Sequence, residues 1–224
     1  MTETRPTVLL YDWDNTLVDA WAGVTAAMNA AFAAFAMPDW TVEDTRARAR
    51  RSLREAFPPL FGPEWERARD IFYAALEATH LDHVSPLPGR ALLVAALPAA
   101  RQAVVSNKSG RFLRAEVAHL GWTARFATVI GAGDAAADKP AAAPLLVALE
   151  RMGARPGPAV WYVGDTALDM QAARAAGVTA VLLGDAAHDG GVDAAAPDLH
   201  VQDAFSLARV FSGTVRGACP PGGR

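Results

Sequence analysis

Val8-Leu9-Leu10-Tyr11 is a short, unbroken apolar run that stops at two carboxylates, Asp12 and Asp14. A run of this length, closed by turn-forming residues, fits a strand buried on both faces, as strands of parallel sheets are. From Arg90 onward the chain repeats that texture between helical patterns. Helix Arg90 to Ala96, strand Ala103 to Val105, helix Arg111 to Leu120 and strand Ala127 to Ile130 come first. Helix Ala141 to Met152, strand Val160 to Val163, helix Thr166 to Ala176 and strand Thr179 to Leu183 follow. This alternation predicts an α/β fold, a parallel sheet with helices on both faces. Asp198 to Val201 can add an edge strand and Ala204 to Phe211 a last helix.

Between the first strand and this repeat no strand pattern occurs for about eighty residues. Asp19 can cap a long helix to about Ala36, stopped by Pro38. Helical patterns over Val42 to Phe57 and Pro63 to Thr79 are separated by Pro58-Pro59 and Gly62, and Ser85-Pro86-Leu87-Pro88-Gly89 reads as a hinge. The expected organisation is an α/β core over 1–17 and 86–211, an inserted all-helical cap over 18–85, and a loose tail over 212–224. A cap leaving beside the Asp12 loop and returning at its rim can cover that loop and exclude water.

The 224 residues suffice for a sizeable core, and an apolar fraction of 52% with 20% charged residues is that of a globular chain. A net charge of −3 gives no global basic field to recruit nucleic acid or anionic membrane. Met1 to Thr7 lacks a signal-peptide apolar region, and Ala20 to Met37 is too rich in alanine, with Thr25 and Asn29, to read as a membrane span. The single Cys219 cannot form an internal disulfide. These features predict a cytoplasmic protein; the expected partner is a small molecule, and the expected state a monomer or homodimer.

Polar residues recur where strands of such a sheet should end, which is where open α/β sheets place their chemistry. Asp12 and Asp14 repel each other unless a proton or a cation intervenes, and oxygen ligands without nearby His or Cys favour Mg²⁺ over zinc. A plain Asx turn closing the strand is the alternative. Ser106-Asn107, ahead of Lys108-Ser109-Gly110, offers a hydroxyl, amides and a helix start suited to an anion; a helix cap would serve as well. Lys139 at a helix N-terminus opposes the helix dipole, so a phosphate or a carboxylate cluster would explain it, against a solvated loop lysine. Gly164-Asp165-Thr166-Ala167-Leu168-Asp169 ends another apolar strand with two acids four apart. Asp165 reads as a helix cap on the simplest view, although a cap does not require Asp169.

Taken in order, Asp12-Trp13-Asp14-Asn15-Thr16, Ser106, Lys139 and Gly164-Asp165-Thr166-Ala167-Leu168-Asp169 resemble the four motifs of the haloacid dehalogenase superfamily of phosphohydrolases, over about residues 7 to 185. Segments Lys139-Pro140 through Pro144-Leu145-Leu146, and Gln171 through Gly177, look most like phosphoglycolate phosphatase and its relatives. The resemblance implies a Rossmann-like core with a helical cap. It implies a Mg²⁺-dependent phosphatase acting on a small phosphomonoester metabolite, phosphoglycolate-like or a nucleotide or sugar phosphate. Asp12 would be the nucleophile that forms an aspartyl-phosphate, its low intrinsic pKa keeping it ionised. Asp14 would be the acid and base, with a raised pKa. Ser106 and Lys139 would complete the catalytic set, Asn107 and Thr16 would meet the substrate, and Asp12, Asp14, Asp165 and Asp169 would attend the metal.

True dehalogenases lack an acid at the position of Asp14, which disfavours that reaction. A sugar phosphomutase of the same superfamily, or a noncatalytic phosphate-binding or regulatory protein, are the other readings. In the cap, Arg46, Arg50 and Arg54 recur every four residues beside Arg51. They read as a solvated face, or, for Arg50, Arg51 and Arg54, as a source of a contact to a second anionic group of the substrate. Trp40, Trp65 and Phe61 read as cap core, His80 and His83 as hinge residues.

Overall fold

A computed structural model describes residues 5–48 and 52–212; Arg50, Arg51, Cys219 and nearly all of the expected tail lie outside them. In chain order, β1 (Val8–Tyr11) and β2 (Val18–Asp19) lead into α1 (Trp21–Ala34), α2 (Val42–Arg48), α3 (Leu53–Phe61) and α4 (Trp65–His83). β3 (Ser85–Pro86), α5 (Arg90–Ala95), β4 (Gln102–Ser109), α6 (Gly110–His119), β5 (Thr128–Ala132) and α7 (Ala143–Arg151) follow. The chain continues through β6 (Val160–Gly164), α8 (Ala167–Ala176), β7 (Thr179–Leu183), α9 (Gly191–Ala195), β8 (Leu199–Val201) and α10 (Ala204–Ser212).

Six strands form one sheet in the order β5-β4-β1-β6-β7-β8, every neighbour parallel. Successive side chains of a strand point to opposite faces, and both faces are buried. Leu9 and Tyr11 of β1 join Val104, Trp161, Val163 and Val181 in a cluster closed by Leu93 of α5, Leu113 of α6 and Leu207 of α10. Leu10 joins Val105, Tyr162 and Leu182 in a second cluster closed by Leu145 of α7 and Met170 of α8. The fold is therefore α/β with helices on both faces, as the alternating pattern predicts. Leu9 and Leu10 lose all exposure, worth about 1.5–3 kcal/mol for each side chain. β1 sits where the strand order reverses, between β4 and β6, the switch point at which a crevice opens beyond the strand ends.

Helices α1 to α4 lie between β2 and β3, which pair antiparallel through Val18 with Pro86 and Asp19 with Ser85. They build a third apolar cluster, with Met28, Phe32, Phe57, Phe61, Phe72 and Leu76, into which α6 inserts Phe112. Pro58-Pro59 does not separate two helices: both prolines lie inside α3, which ends at Gly62 in a left-handed turn (φ 59°). Phe57 and Phe61 hold that last turn in the cluster, outweighing the two missing amide donors. The helix expected from Asp19 begins at Trp21; the Asp19 carboxylate accepts from the Trp21 amide at 3.2 Å. β4 runs through Ser106 to Ser109 with a register shift after Val105, so Ser106 is within the strand rather than after it. β2, β3 and α9 have no counterpart in the sequence reading.

Candidate active site

The ends of four neighbouring strands deliver Asp12 and Asp14 after β1, Ser106 from β4, Lys139 after β5 and Asp165 after β6. All five line one cavity of about 280 Å³, which continues beneath α1 to α4.

Lys139 is the centre of the first cluster. Its ammonium, 3% exposed, donates to Asp12 Oδ1 and Asp169 Oδ1, each at 2.7 Å, and to the Tyr162 hydroxyl at 2.9 Å. Burial opposes its charge, but Asp12 and Asp169 outweigh burial and hold it above the usual lysine range. Its helix, α7, begins only at Ala143, so the dipole is not what Lys139 opposes; the carboxylates explain its place. Asn107 fixes the adjoining backbone, accepting from the Lys139 amide at 2.9 Å and donating to the Lys139 carbonyl at 3.0 Å.

Asp12 departs from the expectation of a low pKa. Burial pushes its carboxyl up to about 7, with Lys139 opposing and Asp169 and Asp165 adding to the rise. Asp169 is held below the usual range: burial works against this, but Lys139 and the Thr166 donors prevail. The cap of α8 is Thr166 rather than Asp165, and it does use Asp169, whose side chain accepts from the Thr166 amide at 3.1 Å in a reciprocal capping box. Asp169 thus closes a helix start with one oxygen and holds Lys139 with the other. Gly164 makes room for it, since a Cβ there would stand 2.4 Å from the Asp169 Cβ.

The second cluster was not foreseen. Lys108 donates to Asp14 Oδ1 at 2.8 Å and to both oxygens of the fully buried Glu116 at 2.8 and 2.7 Å. Glu116 also accepts from the Trp13 indole at 2.7 Å and faces His80 Nδ1 at 3.1 Å. His80, on α4, is therefore a buried contact to α6 and not a hinge residue. Burial raises the Asp14 pKa, against Lys108, with Glu116 and Asp165 adding to the rise. One sequence signal could have exposed this cluster: Phe112, Leu113, Glu116 and Val117 have the spacing of a buried helical stripe, and Glu116 is the charge on it.

Thr16, expected at the substrate, is fully buried and donates to Asp165 Oδ1 at 2.7 Å. Asn15 donates to Asp165 Oδ2 at 2.7 Å and His188 lies 3.1 Å from that oxygen, so these side chains orient the acid. Arg54 reaches the cavity, but its guanidinium is paired with Asp138 at 2.6 Å. Phe61 belongs to the helical core, whereas Trp40 packs on that core and also lines the cavity. Asp12, Asp165 and Asp169 bring carboxylate oxygens within 4.8 Å of one another, an all-oxygen set suited to a hard divalent cation.

A parallel sheet that gathers carboxylates, a serine and a buried lysine at its switch point defines an α/β protein with a polar site beyond its strand ends. The chain belongs to the haloacid dehalogenase-like hydrolase family, whose model matches residues 9–183, and it is an enzyme of the phosphatase type. A phosphoglycolate phosphatase of Xylella fastidiosa is 35% identical over 183 residues, covering 79% of this chain and 80% of that protein. One from Shigella boydii is 33% identical over 229 residues, covering 88% and 89%. A haloacid dehalogenase-like family hydrolase from Streptococcus pneumoniae shares the fold, with a TM-score of 0.78 at 19% identity over 92% of this chain and 98% of that one. No helix among the described residues is long and apolar enough to cross a membrane.

Proposed function

We propose that the chain is a Mg²⁺-dependent phosphomonoesterase of a small phosphorylated metabolite, working through an aspartyl-phosphate on Asp12, with residues 18–85 as a cap over the site. The observation that carries this reading is the convergence of Asp12, Lys139, Ser106 and Asp165 on one cavity. Lys139 engages Asp12 Oδ1, which turns the carboxylate and leaves Oδ2 for attack on phosphorus. The ester P–O bond breaks as the Asp12–phosphorus bond forms, and the departing alkoxide takes the proton of Asp14, whose raised pKa suits an acid. A water then attacks phosphorus, gives its proton to Asp14 and frees Asp12. Lys139 and the Ser106 hydroxyl stabilise charge on the phosphoryl oxygens, the main task in phosphoryl transfer.

Asp12 and Asp165, with the Asp14 main-chain carbonyl, would hold Mg²⁺. Asp169 supports from behind, its oxygens being taken by Lys139, Tyr162 and Thr166. The cation supplies neutralisation of phosphoryl charge and keeps Asp12 ionised. Phosphoglycolate, the substrate in the names of the curated relatives, is the first ester to assay. Purified protein is expected to release phosphate from p-nitrophenyl phosphate only with Mg²⁺, and Asp12→Asn to abolish release. Full turnover by that variant would overturn the assignment.

A further inference from the structure

The part of the cavity beyond the acids is unlike a site for a two-carbon acid. The whole cavity, the acids' end included, is about 280 Å³, close to the ~300–1,000 Å³ range of small-molecule sites, and the side beneath α1 to α4 is lined by Val24, Met28, Trp40, Leu60, Phe72 and Leu76. A carboxylate placed there would lose its hydration, a large cost without a cation to receive it. The described arginines on this cavity already face carboxylates: Arg46 meets Asp19 at 3.2 Å, Arg48 meets Asp44 at 3.0 Å and Arg54 meets Asp138 at 2.6 Å. An apolar body, by contrast, gains by leaving water for this wall.

A second observation adds a polar requirement. Among the described residues, three buried side-chain polar atoms have no hydrogen-bond partner: the Trp21 indole Nε1, Arg46 Nε and the Ser52 hydroxyl. All three residues line this cavity, with Trp21 8% and Ser52 1% exposed. Two are donors only and the third can donate, and a buried donor left unmet is costly. A bound group that accepts hydrogen bonds would relieve that cost.

We infer that the enzyme's substrate is the phosphate monoester of an alcohol with a largely apolar body, of about the size of an aromatic ring, that also carries an uncharged hydrogen-bond acceptor. This rests on the phosphomonoesterase reading and narrows it to a substrate class other than phosphoglycolate. The cap then selects the alcohol while the strand ends treat every phosphoryl group alike.

The test compares kcat/KM of the full chain with Mg²⁺ on phosphoglycolate, benzyl phosphate and phenacyl phosphate, the last adding a carbonyl to an aryl body. All three release a primary alcohol. Benzyl phosphate is expected to exceed phosphoglycolate at least tenfold, chiefly through KM, and phenacyl phosphate to exceed benzyl phosphate; a smaller or reversed ratio overturns the inference. Val24→Phe should lower the benzyl-to-glycolate ratio severalfold by filling the cavity, and Ser52→Ala the phenacyl-to-benzyl ratio. General damage to the fold would slow all three esters together, and ratios unmoved in both variants count against the inference. Turnover of p-nitrophenyl phosphate with glycolate preferred removes this inference alone, whereas no turnover of any ester removes the phosphatase reading with it.

Discussion

Two buried lysines, built alike, serve the two acids of the first loop. Lys139 bridges Asp12 and Asp169, and every member of its cluster comes from the sheet and its connections. Lys108 bridges Asp14 and Glu116, but its cluster also reaches His80 on α4, in the helical insertion. The proposed nucleophile is thus positioned by the sheet and its crossover helix α8, and the proposed acid by a network that depends on how the insertion packs. In each case one buried lysine is paired with two carboxylates. In the proposed mechanism the clusters differ in what they set: charge stabilisation around the phosphoryl group in one, proton handling in the other.

The sharpest way to separate them is Lys139→Met. It should lower kcat by about 10²–10³ by removing a donor to the phosphoryl group, and cost about 3–5 kcal/mol by leaving buried carboxylates without their cation. Steady-state kinetics and urea unfolding check both, and turnover near wild type would take Lys139 out of the phosphoryl site. Lys108→Met should have the next largest effect, lowering kcat by about 10²-fold through Asp14. Lys108 opposes the upward push of burial on Asp14, so its loss should move the activity profile to higher pH. An unmoved profile would mean that Lys108 only fills space.

A third outcome concerns the metal. Asp12 has its ordinary value of 3.8 when unfolded and about 7 in the fold, so its contribution to metal-free stability is full below 3.8 and lost as pH rises through about 7. A cation needs the ionised form. The rise in Tm on adding Mg²⁺ should therefore be larger at pH 8 than at pH 6, and thermal scans at the two values decide it. The smallest effect is expected from His80→Leu, which removes one buried polar contact to Glu116 and should cost about 1 kcal/mol in chemical denaturation. A loss as large as that of Lys139→Met would make the contact with the insertion the dominant one.

Much of the sheet was legible because its signals are local. Val8 to Tyr11 and Thr179 to Leu183 are apolar runs with punctuation at their ends, and both are strands of those bounds. Pro58-Pro59 misled because the local rule for proline ignores the packing of Phe57 and Phe61. Asp12, Asp14, Ser106 and Asp165 could be singled out because each follows an apolar run, and Lys139 because a lysine before an expected helix opposes the dipole; the structure brings all five to one cavity. Thr16 could not be placed correctly, since whether its hydroxyl meets a substrate or Asp165 depends on a loop 149 residues away.

The sequence by itself determined the alternation that makes a parallel sheet, the edge at which its polar residues gather and the family to which they point. Those properties follow from periodicity and short motifs, which a chain carries locally. Only the tertiary structure decided which carboxylate each lysine compensates, that Asp169 both caps α8 and holds Lys139, and that apolar side chains of α1 to α4 line the cavity beside the strand ends. Asp12 and Lys139 are 127 residues apart and Asp14 and Lys108 are 94 apart; what joins them is the order of the strands, which sets whose charges share a space that water leaves.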